Sequence, residues 1–257
     1  MFFDSHAHLD DKRYEPDRYE MLMCAKGRGV SGIINVGFDL PSSMRSIELA
    51  EQYDFIFASV GIHPHDAADA SADTMEQIRL LAAHPRVVAI GEMGLDYYRN
   101  LSPRDIQQKV FRQQIHLAKE IEKPIIVHDR DAHGDLMRIL KEEDAGSNGG
   151  VLHCFSGSVE MARECIKMGF YISIAGPVTF KNASKICEVA AGVPIECLLI
   201  ETDAPYLAPE PNRGKRNEPA YVVHIAERIA ELRGMHLVEL AEATFQNALN
   251  LFNIKKI

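Results

Sequence analysis

Short apolar and β-branched runs recur along the whole chain, at residues 1–5, 32–37, 55–61, 87–91, 124–127, 150–152, 169–175 and 197–201. Each is too short for a helix and shows little strict alternation, the pattern of strands buried on both faces of a parallel sheet. Stretches with helical periodicity lie between them. One opens at Ser102-Pro103, an N-cap followed by proline at the first helical position, and carries Ile106, Val110, Leu117 and Ile121 on one stripe. Another starts at Pro219 and sets Val222, Ile225, Ile229 and Leu232 on one face. Residues 44–52, 74–83, 137–143, 161–168 and 183–191 are shorter candidates, and a last helix covers 237–252. Such alternation predicts an α/β protein with a parallel sheet and right-handed crossovers. Eight units without a Ser/Gly-rich linker predict a single domain over residues 1–257, closed into a (β/α)8 barrel. An open doubly wound sheet usually presents a Gly-rich phosphate loop after its first strand; here that turn reads His6-Ala7-His8-Leu9-Asp10.

Composition adds exclusions. Hydrophobic residues at 46% and charged residues at 25% are ordinary for a folded globular chain. The apolar runs fall far short of the 18 or so residues of a membrane span. No basic segment followed by an apolar one opens the sequence, so the expectation is a cytoplasmic protein with no membrane association and no required protein partner. Five cysteines without a C-x-x-C pair make neither a disulfide framework nor a zinc ribbon. The formal net charge of −9 is the wrong sign for a protein that coats DNA. A nucleic-acid substrate therefore requires positive charge supplied locally at a site.

In a closed barrel the reacting groups sit at the C-terminal ends of the strands. The first predicted strand ends in His6 and His8, whose spacing of two turns both imidazoles to one side. His63-Pro64-His65 follows the third, Glu92 the fourth, His128 the fifth, His153 the sixth and Asp203 the eighth. Taken singly these have bland readings: a lone histidine there is usually a hydrogen-bonded structural residue, and Asp203 could simply cap the turn at Ala204-Pro205. Taken together they would have to coincide at one end of one barrel. Four histidines and two carboxylates exceed the needs of one four-coordinate ion and suit two divalent cations with a bridging carboxylate. Imidazole with carboxylate accepts Zn, Mn, Co, Ni or Fe, and Mg where phosphate oxygens help. Cys154 should point to the opposite face from His153, into core packing.

The motifs Phe2-Phe3-Asp4-Ser5-His6-Ala7-His8-Leu9-Asp10, Gly61-Ile62-His63-Pro64-His65 and Gly91-Glu92-Met93-Gly94-Leu95-Asp96-Tyr97 resemble those of the TatD-related metal-dependent deoxyribonucleases. So do His128 with Arg130-Asp131-Ala132, Leu152-His153-Cys154-Phe155-Ser156-Gly157, Ile200-Glu201-Thr202-Asp203-Ala204-Pro205-Tyr206-Leu207 and Arg213-Gly214-Lys215-Arg216-Asn217-Glu218-Pro219. The set extends from residue 2 to residue 219 in the family's order. The resemblance implies a TIM barrel of the amidohydrolase superfamily. It carries over His6, His8, Glu92, His128, His153 and Asp203 as metal ligands, with Glu92 bridging.

Two such cations over two ligand carboxylates would leave the site net positive inside an acidic protein, drawing DNA locally. Coordination lowers the pKa of water from about 16 to about 7, which makes a metal-held water the expected nucleophile. Asp203 is the candidate general base, beside Glu92 in the catalytic pair. His63, His65, Arg130, Tyr206 and Arg213, with Lys215, are candidates for phosphate or sugar contacts. Glu201, on the same strand face as Asp203, should point into the barrel, to orient a water or pair with a base such as Arg130. The expected activity is hydrolysis of DNA, as an exonuclease on single-stranded ends. The alternative keeps the site and changes the bond, to amide, ester or phosphotriester small molecules. A metal-binding scaffold without turnover is a third reading, which predicts normal partner binding after Asp203→Asn.

Overall fold

The first strand, β1 (Phe2–Ala7), is buried almost throughout and pairs in parallel with β2 (Val30–Val36). The series continues through β3 (Ile56–Val60), β4 (Val87–Asp96), β5 (Ile125–Arg130), β6 (Gly150–Leu152), β7 (Phe170–Ile174) and β8 (Leu198–Ile200), each parallel to its predecessor. The molecule is described here by a computed structural model covering residues 1–255. Helices α1 (Arg18–Gly27), α2 (Leu40–Gln52), α3 (Ala72–Ala82), α4 (Arg104–Glu120), α5 (His133–Glu142), α6 (Val159–Lys167), α7 (Ser184–Gly192) and α8 (Val222–Arg233) each follow their strand, and α9 (Leu237–Leu251) ends the fold. This is the expected eight-stranded α/β barrel. Among the described residues no helix is long and apolar enough to cross a membrane.

Between β8 and β1 the ring closes by a different device from the other seams. The parallel bridge Ala7–Ala204 lies just past the end of β8, flanked by hydrogen bonds from His8 N to Ala204 O (2.7 Å) and from Asp203 N to His6 O (2.9 Å). Below it, the buried Asp4 carboxyl takes the Thr202 amide (2.9 Å) and pairs with the Thr202 hydroxyl (2.6 Å). A side-chain clamp thus joins the first and last strands.

The barrel interior is apolar at its N-terminal end, where Phe3, Ile34, Phe57, Ala89, Ile126, Val151 and Leu199 form one cluster with Phe245 and Phe252 at the last helix. The Phe3 ring lies 6.4 Å from Phe57, 6.0 Å from Phe245 and 6.4 Å from Phe252. Residues of and just after α9 therefore plug this end, and chemistry is confined to the other.

Three local expectations need correction. Pro103, not Ser102, occupies the N-cap of α4; the Ser102 hydroxyl instead donates to His65 O (2.8 Å) and accepts from Ala68 N (3.0 Å). Strand β4 continues past Gly91 to Asp96, and β5 past Val127 to Arg130. Helix α1 has no counterpart among the periodic segments: it buries only Met21, Leu22 and Ala25, too narrow a stripe to stand out.

Candidate active site

The residues at the open end converge on the Glu92 carboxylate. Glu92 is buried within β4, where its backbone N–H donates to Gly37 O (2.8 Å). Oε2 faces His6 Nε2 (3.4 Å) and His8 Nε2 (3.8 Å). Oε1 faces His128 Nδ1 and His153 Nε2, both at 2.8 Å. The two oxygens thus face different sets of imidazoles. Asp203 stands beside the first pair, with Oδ1 3.6 Å from His8 Nε2 and 3.9 Å from His6 Nε2.

Local backbone structure places these groups. Asp203 has φ 54°, a left-handed conformation that Asp tolerates better than most residues, and its carbonyl accepts from Tyr206 N (2.8 Å) in a tight turn. Gly94 is required next to the site: its φ is 144°, and a Cβ there would lie 2.0 Å from His128 O. Without that glycine β4 could not lie against β5 where His128 projects.

The second ring nitrogens fix tautomers. His8 Nδ1–H donates to Val36 O (3.1 Å), so its Nε2 lone pair faces the site. His153 Nδ1 lies 3.3 Å from Glu201 Oε1, which also accepts from Cys154 N at 2.7 Å. Glu201 is therefore fully buried against His153 and does not pair with Arg130; its Oε2 has no hydrogen-bond partner. His63 behaves in the opposite sense. Its Nδ1 accepts from His65 N (3.1 Å), which leaves the proton of the neutral ring on Nε2, 3.5 Å from Glu92 Oε1.

Burial opposes charge on all of these groups, and at His6 it prevails, with His153 adding to it. Although burial acts to raise it, Glu92 is held well below the usual carboxylate range, first by His153, with a hydrogen bond from His128. Asp203 is lowered in the same way, burial being outweighed by His8, His6 and His153. Burial lowers proton affinity at His8, His128 and His153 too, but Asp203 and Glu92 reverse it at His8, Asp96 and Glu92 at His128, and Glu92 with Glu201 at His153. For His63 burial prevails, and the ring stays neutral.

Among the described residues three groups have their donor atoms within 4.8 Å of one another: His6, His8 and Asp203; His6, His153 and Glu201; His63, Glu92 and His128. This donor set fits divalent cations. The His6 and His8 Nε2 atoms stand 3.3 Å apart, and His6 Nδ1 is buried with no partner of its own. Such an array of inward lone pairs and carboxylate oxygens is what imidazole–carboxylate ligation of a hard or borderline ion requires.

Of the residues expected to touch substrate, His63 lies inside this cluster, beside Glu92, and not at its rim. His65 is tied to the buried Asp96 (Nε2–Oδ2 2.8 Å), whose same oxygen is 3.5 Å from His128 Nε2. Asp96 is held below its usual range, burial being overcome by His128, Arg99 N and His65. Arg130, Tyr206 and Arg213 stand at the rim in arginine–aromatic stacks: Arg130 4.2 Å from the Tyr98 ring centre, Arg13 4.5 Å from Tyr206, and Arg213 3.7 Å from Phe180. Lys215 is exposed, while Arg216 is committed to Asp17 (2.6 Å) and Glu218 (3.0 Å). Cys154 corrects the expectation of core packing: it is only partly buried and lines a cavity beside His153. Sequence reasoning gave no part to Asp96, Tyr98, Arg13 or Phe180. Asp96 alone left a signal, inside the same motif as Glu92.

Comparison with known proteins follows this geometry. The family model described as "TatD related DNase" matches residues 3–253. The chain is 55% identical over 254 residues to an uncharacterized metal-dependent hydrolase, YabD, of Bacillus subtilis, covering 99% of this chain and 100% of that protein. It is 40% identical over 258 residues to the 3'-5' ssDNA/RNA exonuclease TatD of Escherichia coli, covering 98% of this chain and 99% of that one. Among solved structures, the TatD homologue YJJV of Escherichia coli superimposes with a TM-score of 0.93 at 34% identity, over 98% of both chains.

Proposed function

This chain belongs to the TatD-related DNase family and is a metal-dependent hydrolase; from that premise we propose that it is a two-cation phosphodiesterase that removes nucleotides from the ends of single-stranded DNA. What carries the reading is Glu92, whose two oxygens meet separate sets of histidines. In this reading His6, His8 and Asp203 would hold one cation and His128 and His153 the other, with Glu92 available to both. Mg, Mn, Zn, Co, Ni and Fe are all compatible with these donors. Bound there, divalent cations supply Lewis acidity to a phosphate and a lowered pKa to water.

The chain's own groups do the rest. Asp203, held ionised beside His8, accepts the proton of the attacking water as its oxygen bonds to phosphorus. That proton passes to the sugar oxygen released when the P–O bond breaks. His63, neutral with its proton on Nε2, donates a hydrogen bond to a non-bridging phosphate oxygen. Glu201 fixes the His153 tautomer. The exonuclease name of the Escherichia coli relative supports attack from the 3′ end.

The test is nucleotide release from end-labelled single strands by metal-stripped protein and by protein reloaded with Mg or Mn, with Asp203→Asn as control. Cleavage restored by cation and lacking in the variant is the expected result. No cleavage with any cation, while two ions still bind per chain, would remove the DNA reading and leave a hydrolase of amide, ester or phosphotriester bonds.

A further inference from the structure

Beside the cation-binding cluster, the loops after β6, β7 and β8 enclose a cavity of about 650 Å³. Cys154 and Phe155, which directly follow His153, are among its lining residues, so it lies next to the site. Its walls combine apolar surface from Phe155, Phe180 and Ile186 with cationic groups, Lys181, Lys185 and Arg213, against the single carboxylate of Glu210. The Arg213 guanidinium lies over the Phe180 ring at 3.7 Å. We propose that this cavity is a nucleotide subsite, in which one base of the strand stacks on the Arg213–Phe180 platform while Lys181 meets a neighbouring phosphate. The inference rests on the DNA reading above and adds to it where the strand lies and what holds it.

Three observations support a nucleotide as the occupant. A volume of this size is in the ordinary range for a small-molecule pocket. Guanidinium planes and aromatic faces are the surfaces on which unpaired bases stack, without regard to sequence. In a chain of net charge −9, cations gathered beside a phosphate-directed cluster favour an anionic ligand.

The platform is also held in place before any ligand arrives. The Thr179 hydroxyl donates to Gly176 O (2.7 Å) and accepts from Glu210 N (2.9 Å), tying the loop that bears Phe180 to the loop that leads to Arg213. Gly176 permits this approach, since a Cβ there would lie 2.0 Å from Leu207 O. On the far side, Lys185 Nζ donates to Ser156 O (2.9 Å) and fastens α7 to the loop after β6. A pocket so braced loses little freedom on binding.

The test pairs Phe180→Ala with single strands that lack a base at the first, second or third position from the attacked end. The expected result is a loss of about tenfold in kcat/KM on the normal strand, carried by KM. At one position only, removal of the base should abolish most of that difference between wild type and variant. Phe180→Trp should restore affinity and Phe180→Leu should not, which separates stacking from packing. Fluorescence anisotropy of a labelled five-nucleotide strand on Asp203→Asn protein, with and without Phe180→Ala, reads binding independently of turnover. Equal losses on every strand would overturn the subsite while strand cleavage by the wild type upheld the nuclease. A cation-loaded wild type that cleaves no strand would overturn both.

Discussion

At the scale of single residues, Glu92 and Glu201 have separable duties. Glu92→Ala should lose bound cation and activity together while circular dichroism and the melting transition still report a folded barrel. Wild-type turnover in that variant, with metal content unchanged, would sink the bridging role. Glu201 is hydrogen-bonded to His153 and to the Cys154 amide. Glu201→Gln should therefore weaken cation affinity by about 10–100-fold, as loss of a partner that orients a ligand does, with the fold intact. A titration with unchanged affinity would reduce Glu201 to a packing residue. Protonation supplies a further check. His8, His128 and His153 bind protons more tightly than free imidazole does, so an incoming cation must displace them. Affinity should fall as pH drops, and calorimetry in buffers of different ionisation enthalpy should detect proton release. The six residues proposed as ligands were legible because their spacing places each near a strand end. The tautomer of His63 was not legible, because the deciding fact is a backbone amide at His65 donating to its Nδ1. No residue pattern records that choice.

Among the elements, the seam between β1 and β8 is distinctive, since a carboxyl clamp does the work of a ladder. Burial pushes the Asp4 carboxyl up from its ordinary 3.8 to about 8, against the hydrogen bonds from Thr202. The folded protein thus holds this proton more tightly than the unfolded chain. The resulting stabilisation is complete below pH 3.8, shrinks as pH climbs, and is gone above about 8. Relative to Asp4→Asn, the wild type should lose unfolding free energy between pH 4 and pH 8 in urea titrations. A constant difference across that range would mean the carboxyl ionises alike in both states. The strands were readable from their apolar runs, but the ends of β4 and β5 were not. Polar ligands and glycines interrupt the apolar signal at the very place where the strands extend into the site. Proline at position 103 pointed to the start of α4, yet Ser102 was drawn away by His65 and Ala68 in another loop, a tertiary preference that local propensity does not contain.

The whole molecule divides into a plugged end and an open one. Phe245 and Phe252 close the first against Phe3, and the ligands occupy the second. Because the proposed cation ligands come together only in the assembled barrel, chelation should lower the melting temperature. Ligand present at about 100 times its Kd contributes about 2.7 kcal/mol. For a barrel of this size that corresponds to a shift of roughly 5–10 °C in a calorimetric scan. An unchanged transition after complete cation removal would place the ions outside the folded framework. The barrel itself was legible from eight repeated units, whereas the plug was not, since nothing in the periodicity of residues 237–252 says which surface they cover. His6 and His8 come from the first stave of the barrel and Asp203 from just beyond the last, so the two halves of one cation cradle are made at opposite ends of synthesis. A nascent chain halted anywhere before residue 203 holds imidazoles but no finished centre. Unfinished copies thereby lack the proposed cradle, and hydrolysis waits on a ring that has closed.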